Sequence, residues 1–368
     1  MDVYIYAPWI YQRGGAERVV IDLAKSLNAK KIFTSHFEPE NTFDDFKSLN
    51  VVQVGYIPVV KNFVSLTVVS LKLIFQKLPI EKDSVLVVST GGFGEFITFR
   101  NRVSRVACFC HTPLRAIHDE VFQKDYFRRR GLFFRFLFEF FRIPYVFFER
   151  LAFSNFDVVI ANSLNTRSRL ASAGLGDSVV VYPGVESVNA KPVFKNFFLA
   201  AGRFISYKNF ELAIRSFIIF KERGGNKNFK LVLAGGLSDI NNNYFSLLKR
   251  LARGRGDIIF VVNPSESRLK KLYSECFAFL FPALNEDFGI VPVEAMSFGK
   301  QVIALNEGGV KETVVNGVTG RLCAGDESFA DAMINLRNST KTFNECVKRA
   351  GAFSKTSFSE KIRKAVLT

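Results

Sequence analysis

Long uninterrupted apolar runs are missing from this chain. None reaches the roughly 18–20 residues that a membrane-spanning helix needs, because Lys72, Arg135, Glu139 and Arg142 interrupt the best candidates, so no span is expected. The opening Met1-Asp-Val-Tyr-Ile-Tyr6 lacks a basic stretch and runs straight into a strand pattern, which argues against a secretory signal and for a cytoplasmic protein. Cysteine is scarce: 5 residues, an odd number without C-x-x-C spacing, exclude a disulfide framework and a zinc ribbon. In Cys108-Phe-Cys110-His111 the alternation of a strand turns both thiols to one face and the imidazole to the other, so no metal site is expected. Histidine is limited to His36, His111 and His118. G-x-G-x-x-G is absent, which disfavours a dinucleotide dehydrogenase.

Positive charge and phenylalanine are in excess. A formal net charge of +16 attracts something anionic, whether nucleic acid, acidic lipid or a phosphorylated substrate. The 41 Phe residues lie far above ordinary usage and demand either burial or an apolar contact surface. A length of 368 residues is enough for two domains, each with its own core.

The hydrophobic pattern alternates between strand and helix. Tyr4 to Ala7 closes a first strand, and Gly14-Gly15 opens a helix whose apolar residues Ala16, Val19, Val20, Leu23, Ala24 and Leu27 keep helical spacing. Further strands are expected at Ser84–Ser89, Val103–Cys110 and Asp157–Ala161, the alternation of a parallel sheet. The segment Tyr182 to Pro192 holds two prolines and a glycine without helical period, and reads as a linker. Beyond it the spacing predicts strands at Phe197–Ala201, Lys230–Ala234, Asp257–Val262 and Phe277–Phe281, with helices at Asn209–Arg223, Tyr244–Arg253 and Glu266–Ser274. The expected division is residues 1–182, a linker at 183–194, residues 195–352, and a helix at 353–368 that can return to the first domain. The fold class is α/β, two Rossmann-like domains facing across a cleft, with ligands at the carboxyl ends of the strands.

The densest chemistry lies between Pro282 and Gln301. Glu286 and Glu294 flank a Phe288-Gly289-Ile290 turn, and a helix opening near Gly289 offers backbone N–H groups suited to diphosphate. A carboxylate accepting from vicinal hydroxyls makes charge-assisted bonds, so one acid suits a sugar and the other a ribose. Arg203 ends the strand Phe197–Ala201 and Lys208 is expected at the start of the next helix. Fixed cations there stabilise the charge that develops on a departing diphosphate. Gly235, at another strand end, lets a flat nucleobase approach. His111 ends the strand Val106–Cys110 before the extended Thr112-Pro113 turn and suits donation to the transferred sugar or the acceptor.

The set formed by Gly14-Gly15-Ala-Glu17, His111, Arg203 with Lys208, the Glu286 to Glu294 block, Glu307 to Glu312 and Asn316 to Gly320 resembles the retaining GT-B glycosyltransferases of family four over nearly the whole chain. Cys110-His-Thr-Pro-Leu-Arg115 is similar to the mannosyltransferases of that group that build lipid-linked glycans or polysaccharides. The resemblance implies that Gly14 and Gly15 with Arg203 and Lys208 hold the diphosphate, Glu294 the ribose and Glu286 the transferred sugar. Phe288, Gly289 and Ile290 would lend backbone N–H groups. It implies a hexosyl transfer with retention, mannose from GDP-mannose or another hexose from a UDP-sugar, with no metal and no cofactor beyond the nucleotide sugar. Gln301 stands where the family commonly has proline.

A glycosidase would also use two carboxylates but leaves Arg203 and Lys208 without a role. A basic nucleic-acid-binding protein without enzymatic activity is the alternative of another class. It predicts steep salt dependence, yet the chain has no recognisable nucleic-acid module, so no nucleic acid is expected. The segment Tyr126 to Ile143 combines Arg128, Arg129 and Arg130 with Phe133, Phe134 and further aromatics, and Pro144 is expected to break its helix. Such a piece either rests in a membrane interface or forms a core helix with one wet seam. Val59–Phe75 is a weaker candidate of the same kind. Interface binding places the protein on the inner face of the cell membrane as a peripheral protein, with an anionic surface and a lipid-linked acceptor as partners.

Overall fold

The computed structural model describes residues 1–58, 63–119, 123, 132–238 and 242–368, and the side chains of 63–66 and 132–134 lie outside that description. It divides into two compact units, Met1–Gly184 together with Thr356–Thr368, and Val185–Lys355.

The first unit is built on a seven-stranded sheet in the order β5-β3-β1-β6-β7-β8-β9. Its strands are β1 (Val3–Tyr6), β3 (Lys31–Thr34), β5 (Val51–Gln53), β6 (Val85–Thr90), β7 (Arg105–Cys110), β8 (Val158–Ala161) and β9 (Val179–Val180). Every pairing is parallel. A separate ribbon pairs β2 (Trp9–Ile10) with β4 (His36–Phe37). Parallel strands covered on both faces read as continuous apolar runs, which is why a strand expected at Ser84–Ser89 is found, shifted by one residue, at Val85–Thr90. The Lys355–Leu367 helix completes this unit: Phe358, Ile362 and Val366 join the core of β1, β6 and β7, and the Phe358 ring meets Phe109 edge-on at 6.1 Å.

The second unit repeats the plan with six parallel strands in the order β12-β11-β10-β13-β14-β15. These are β10 (Phe197–Ala201), β11 (Lys230–Gly235), β12 (Ile258–Val262), β13 (Ala278–Phe281), β14 (Val302–Leu305) and β15 (Gly320–Cys323). Phe198 anchors its core, with the rings of Phe229 at 5.1 Å, Phe220 at 5.4 Å and Phe277 at 5.9 Å. Burying each such ring contributes about 2–3 kcal/mol, so this part of the phenylalanine excess is structural. The five cysteines are free and buried.

Two local expectations need correction. Pro144 does not end its helix, which runs through it from Leu132 to Phe153. A proline inside a helix costs roughly 3 kcal/mol. Phe138, Tyr145 and Ala152 are buried on the same helix, and their packing into the first core outweighs that cost. Lys208 does not open a helix either. It closes the single turn Ser206–Lys208, and the helix begins at Phe210 after Asn209 turns left-handed at φ 52°.

Strand ends approach each other closely where the sheet twists. A Cβ built on Gly235 would lie 1.7 Å from the Gly202 carbonyl oxygen, whereas one on Gly256 meets nothing within 4 Å. Gly235→Ala should therefore destabilise by about 1–3 kcal/mol, seen as a lower urea midpoint. Gly256→Ala should stay within about 0.5 kcal/mol of the parent.

Candidate functional site

The carboxyl edge of the second sheet gathers most of the expected donor-binding residues. Arg203 follows β10 and donates from Nη2 to the Tyr207 hydroxyl at 3.0 Å. Gly235 ends β11, where the Gly202 carbonyl excludes any side chain, so the residue is required by packing whatever it meets in a ligand. After β13, the loop Pro282 to Gly289 leads into the Ile290–Ser297 helix, with Gly289 as its N-cap at φ 83°. That left-handed cap favours glycine, which brings no side-chain acceptor of its own to the first helical N–H groups.

Glu286 stands in this loop and not on the helix. Lys208 Nζ donates to its Oε2 at 2.7 Å, with both side chains largely covered. The acid meant for a sugar and the base meant for a phosphate are thus one ion pair. The Glu307-Gly308-Gly309 segment holds it in place: the Gly309 N–H donates to the Glu286 carbonyl at 2.8 Å. A Cβ on Gly309 would come to 2.2 Å from the Asp287 carbonyl oxygen, and one on Gly308 to 2.3 Å from that of Glu286. Only bare backbone fits there. Phe288 is buried in the same loop, its ring 5.6 Å from Phe353.

Glu294 lies in the middle of the helix and accepts from the Tyr273 hydroxyl at 3.2 Å. Burial first, and the Glu294 charge second, raise the Tyr273 phenol well above its ordinary range, so it remains a donor at every working pH. Its ring stacks on Phe298 at 5.7 Å. The sheet thus brings together Arg203, Lys208, Glu286, Phe288, Gly289, Ile290 and Glu294 in one unit.

Gly14, Gly15 and His111 belong to the other unit. Gly14 is the N-cap and Gly15 the first residue of the Gly15–Leu27 helix, which has no side-chain cap. His111 follows β7, its N–H donating to the Thr90 carbonyl at 2.8 Å and its Nε2 hydrogen-bonded to the Ser89 hydroxyl at 2.8 Å. Its own carbonyl accepts from Asn162 Nδ2 at 2.9 Å. Burial pushes the imidazole down to about 4, so it is neutral near pH 7 and offers a hydrogen bond without a charge. Arg128, Arg129 and Arg130 lie outside the described residues, as do the side chains of Phe133 and Phe134. Among the described residues no group of three His, Cys, Asp or Glu is arranged to hold a metal.

Sequence reasoning missed Ser89 and Tyr273, the partners of His111 and Glu294. Neither carries a local signal, since each meets its partner only across the tertiary fold. It quoted Gly308 and Gly309 without a role, and their role is steric.

Family models match both halves of the chain: Glycosyltransferase Family 4 over residues 13–187 and Glycosyl transferases group 1 over residues 184–352. The chain is 27% identical over 363 residues to the mouse alpha-1,3/1,6-mannosyltransferase ALG2, covering 87% of this chain and 84% of that one. The Dictyostelium discoideum protein of the same name is 29% identical over 380 residues, covering 88% and 87%. Among solved structures, Anabaena Alr3699/HepE in complex with UDP is similar with a TM-score of 0.71 over 99% of both chains at 16% identity, a likeness of fold.

Gly309→Ala should push the Glu286–Phe288 loop aside and break the Lys208–Glu286 pair. A crystal structure of the variant with Nζ and Oε2 more than about 4 Å apart meets this expectation, and an intact pair contradicts it.

Proposed function

With glycosyltransferase family models on both of its halves, the chain belongs to the group 1 and family 4 glycosyltransferases, and on that premise we propose that it transfers mannose from GDP-mannose, with retention, to a lipid-linked glycan. The Lys208–Glu286 pair at the carboxyl edge of the second sheet carries the reading. It joins a group that recognises hydroxyls to one that meets phosphate, beside the helix start at Gly289. Mannose is supported by the named activity of relatives matched over most of the chain.

In this mechanism the bond from the anomeric carbon to the diphosphate breaks with its electron pair going to phosphate oxygen. The acceptor hydroxyl oxygen bonds to the same face, and its proton passes to that phosphate oxygen. Arg203 and Lys208 stabilise the departing charge more than the ground state, and no metal is assigned. Glu286 takes the sugar hydroxyls, Glu294 the ribose, and the neutral His111 donates a hydrogen bond to the sugar or acceptor.

Incubating the chain with GDP-mannose or UDP-glucose and a lipid-pyrophosphate glycan tests the reading. Mannose incorporation that is lost by about a thousandfold in Glu286→Ala, with the fold retained, is expected. Glu294→Ala should raise the donor KM at least as much as it lowers turnover. Use of UDP-glucose with GDP-mannose inert overturns the donor assignment, and parental turnover in Glu286→Ala overturns the site.

We also propose peripheral docking on the cytoplasmic face of an anionic membrane. No helix among the described residues is long and apolar enough to cross a bilayer. The Leu132–Phe153 helix buries Phe138, Tyr145 and Ala152 on one face, yet Phe136 (71%), Phe140 (64%), Ile143 (67%) and Phe147 (60%) stand exposed along the other. Phe75 and Leu71 on the Phe63–Phe75 helix are exposed as well. Arg128, Arg129 and Arg130 precede the stripe in sequence, and each basic residue near an anionic leaflet contributes about 1 kcal/mol. Co-sedimentation with anionic liposomes at low salt should be strong and should fall at least about tenfold in a Phe136/Phe140/Phe147→Ser variant. A protein that ignores such liposomes, or a variant that binds unchanged, refutes the docking surface.

A further inference from the structure

Between the Gly14-Gly15 end of the first sheet and its His111 end lies a loop that the sequence motifs left unused. β6 is central, flanked by β1 and β7, and after Thr90 the chain turns through Gly91-Gly92-Phe93-Gly94 into the turn Gly94–Phe99. The fit is close on both sides: a Cβ on Gly94 would reach Pro8 Cγ at 3.2 Å, and one on Gly92 would reach Leu114 Cβ at 2.8 Å. Gly91 is exposed, with nothing within 4 Å of its Cβ position. Phe93 sits at φ 79°, ψ −38°, a conformation that costs a residue with a side chain about 1–3 kcal/mol and persists only where the surroundings enforce it.

The enforcing group is Glu95, which is completely buried. Its Oε1 accepts the Phe93 N–H at 2.9 Å and its Oε2 the Thr90 hydroxyl at 2.7 Å, while the Tyr145 hydroxyl reaches Oε1 at 3.4 Å. Thr90 Oγ1 in turn accepts the N–H groups of Gly92 and Gly94, each at 3.1 Å. The Thr90 carbonyl receives the His111 N–H, and the adjacent Ser89 hydroxyl bonds His111 Nε2. Glu95 is thus tied to Thr90 by a hydrogen bond, and the Ser89–Thr90 backbone carries the two bonds that hold His111. Burying a carboxyl is costly, and a leucine in its place would leave the Phe93 N–H and the Thr90 hydroxyl without their acceptor.

We propose that Glu95 is a positioning residue for the transfer, acting through Thr90 and Ser89 to hold the His111 imidazole and the exposed Gly91 backbone toward the acceptor. The inference rests on the function proposed above.

Three donors point at Glu95, so its ionised form holds the loop. The groups around it are Glu149 and Tyr145 on the Leu132–Phe153 helix, with His118 bonded to Glu149 at 2.7 Å, and His111 just after β7. The packed Phe63–Phe75 helix contributes the buried apolar Val69 and Leu73, and its Lys72 is exposed. Burial, and next the Glu149 charge, push Glu95 up to about 7 from 4.5. For a raised acid the folded state holds its proton longer than the unfolded one. Its contribution to stability is complete below about 4.5 and is lost as pH rises toward about 7. Turnover has the opposite sign, falling as pH drops through about 7 and the loop loses its acceptor. His111 titrates near 4 and adds nothing to that limb.

The test measures kcat and both KM values for GDP-mannose and a lipid-pyrophosphate glycan, as a function of pH, in the full chain and in Glu95→Gln, Thr90→Val and Thr90→Ser. Glu95→Gln should lower kcat/KM for the acceptor about ten- to a hundredfold, leave the donor KM within about twofold, and abolish the acid limb. Thr90→Val should behave like it, and Thr90→Ser like the parent. Hydrogen exchange at the Gly92, Phe93 and Gly94 amides should quicken at least about tenfold in Glu95→Gln, a readout independent of activity. A Glu95→Gln protein that keeps the parental acid limb, or unchanged exchange at those amides, overturns the inference. A parent that moves no mannose overturns the proposed function instead, and exchange then decides the loop.

Discussion

Bare backbone pressed against bare backbone is the constraint on which the proposed donor site depends. The Gly308–Gly309 pair comes so close to the carbonyls of Glu286 and Asp287 that no Cβ can enter, and the Gly309 N–H bonds the Glu286 carbonyl directly. That contact fixes a loop with no regular structure of its own. Glu286 is thereby delivered to Lys208, and Gly289 to the start of its helix. A second contact of the same kind, Gly235 against the Gly202 carbonyl, sets Arg203 beside the next strand end. In the proposed transfer, preorganisation of this sort would let fixed charges act on a developing diphosphate without first rearranging.

Within each unit the charged groups are tuned by opposite means. Lys208 and Glu286 satisfy one another at 2.7 Å, so neither stands as an uncompensated charge at a partly covered edge. His111 is kept neutral by burial alone, and its Ser89 bond orients the ring without supplying charge. Glu95 is the costly member, a buried carboxyl that stabilises a strained turn beside the imidazole. Stability and turnover pull its protonation in different directions.

The phenylalanine excess has two destinations. In the second unit, rings pack edge to face around Phe198 and close a core. Along the Leu132–Phe153 helix, core residues occupy one face while Phe136, Phe140, Ile143 and Phe147, spaced by three or four positions, line another. A helix of this kind is apolar on two sides. The first side holds it together through Pro144, and the second is exposed.

Much of this was readable without coordinates. Continuous apolar runs between helical stretches specify parallel strands, because such strands are covered on both faces, and Phe197–Ala201 and the helix opening at Gly14-Gly15 emerged with their observed starts or close to them. The acids, cations and glycines proposed for the site were picked out as residue types near particular strand ends, since open parallel sheets collect ligands there. What the linear chain does not encode locally is which side chain meets which. Ser89 with His111, Tyr273 with Glu294, Lys208 with Glu286, and the persistence of a helix through Pro144 all depend on groups brought together only after the chain has packed. The sequence by itself determined the layered plan and the chemical inventory, because periodicity and composition act along the chain. Tertiary structure decided the pairings, the neutral state of His111 and the two-sided helix, because burial and contact are properties of the folded surface.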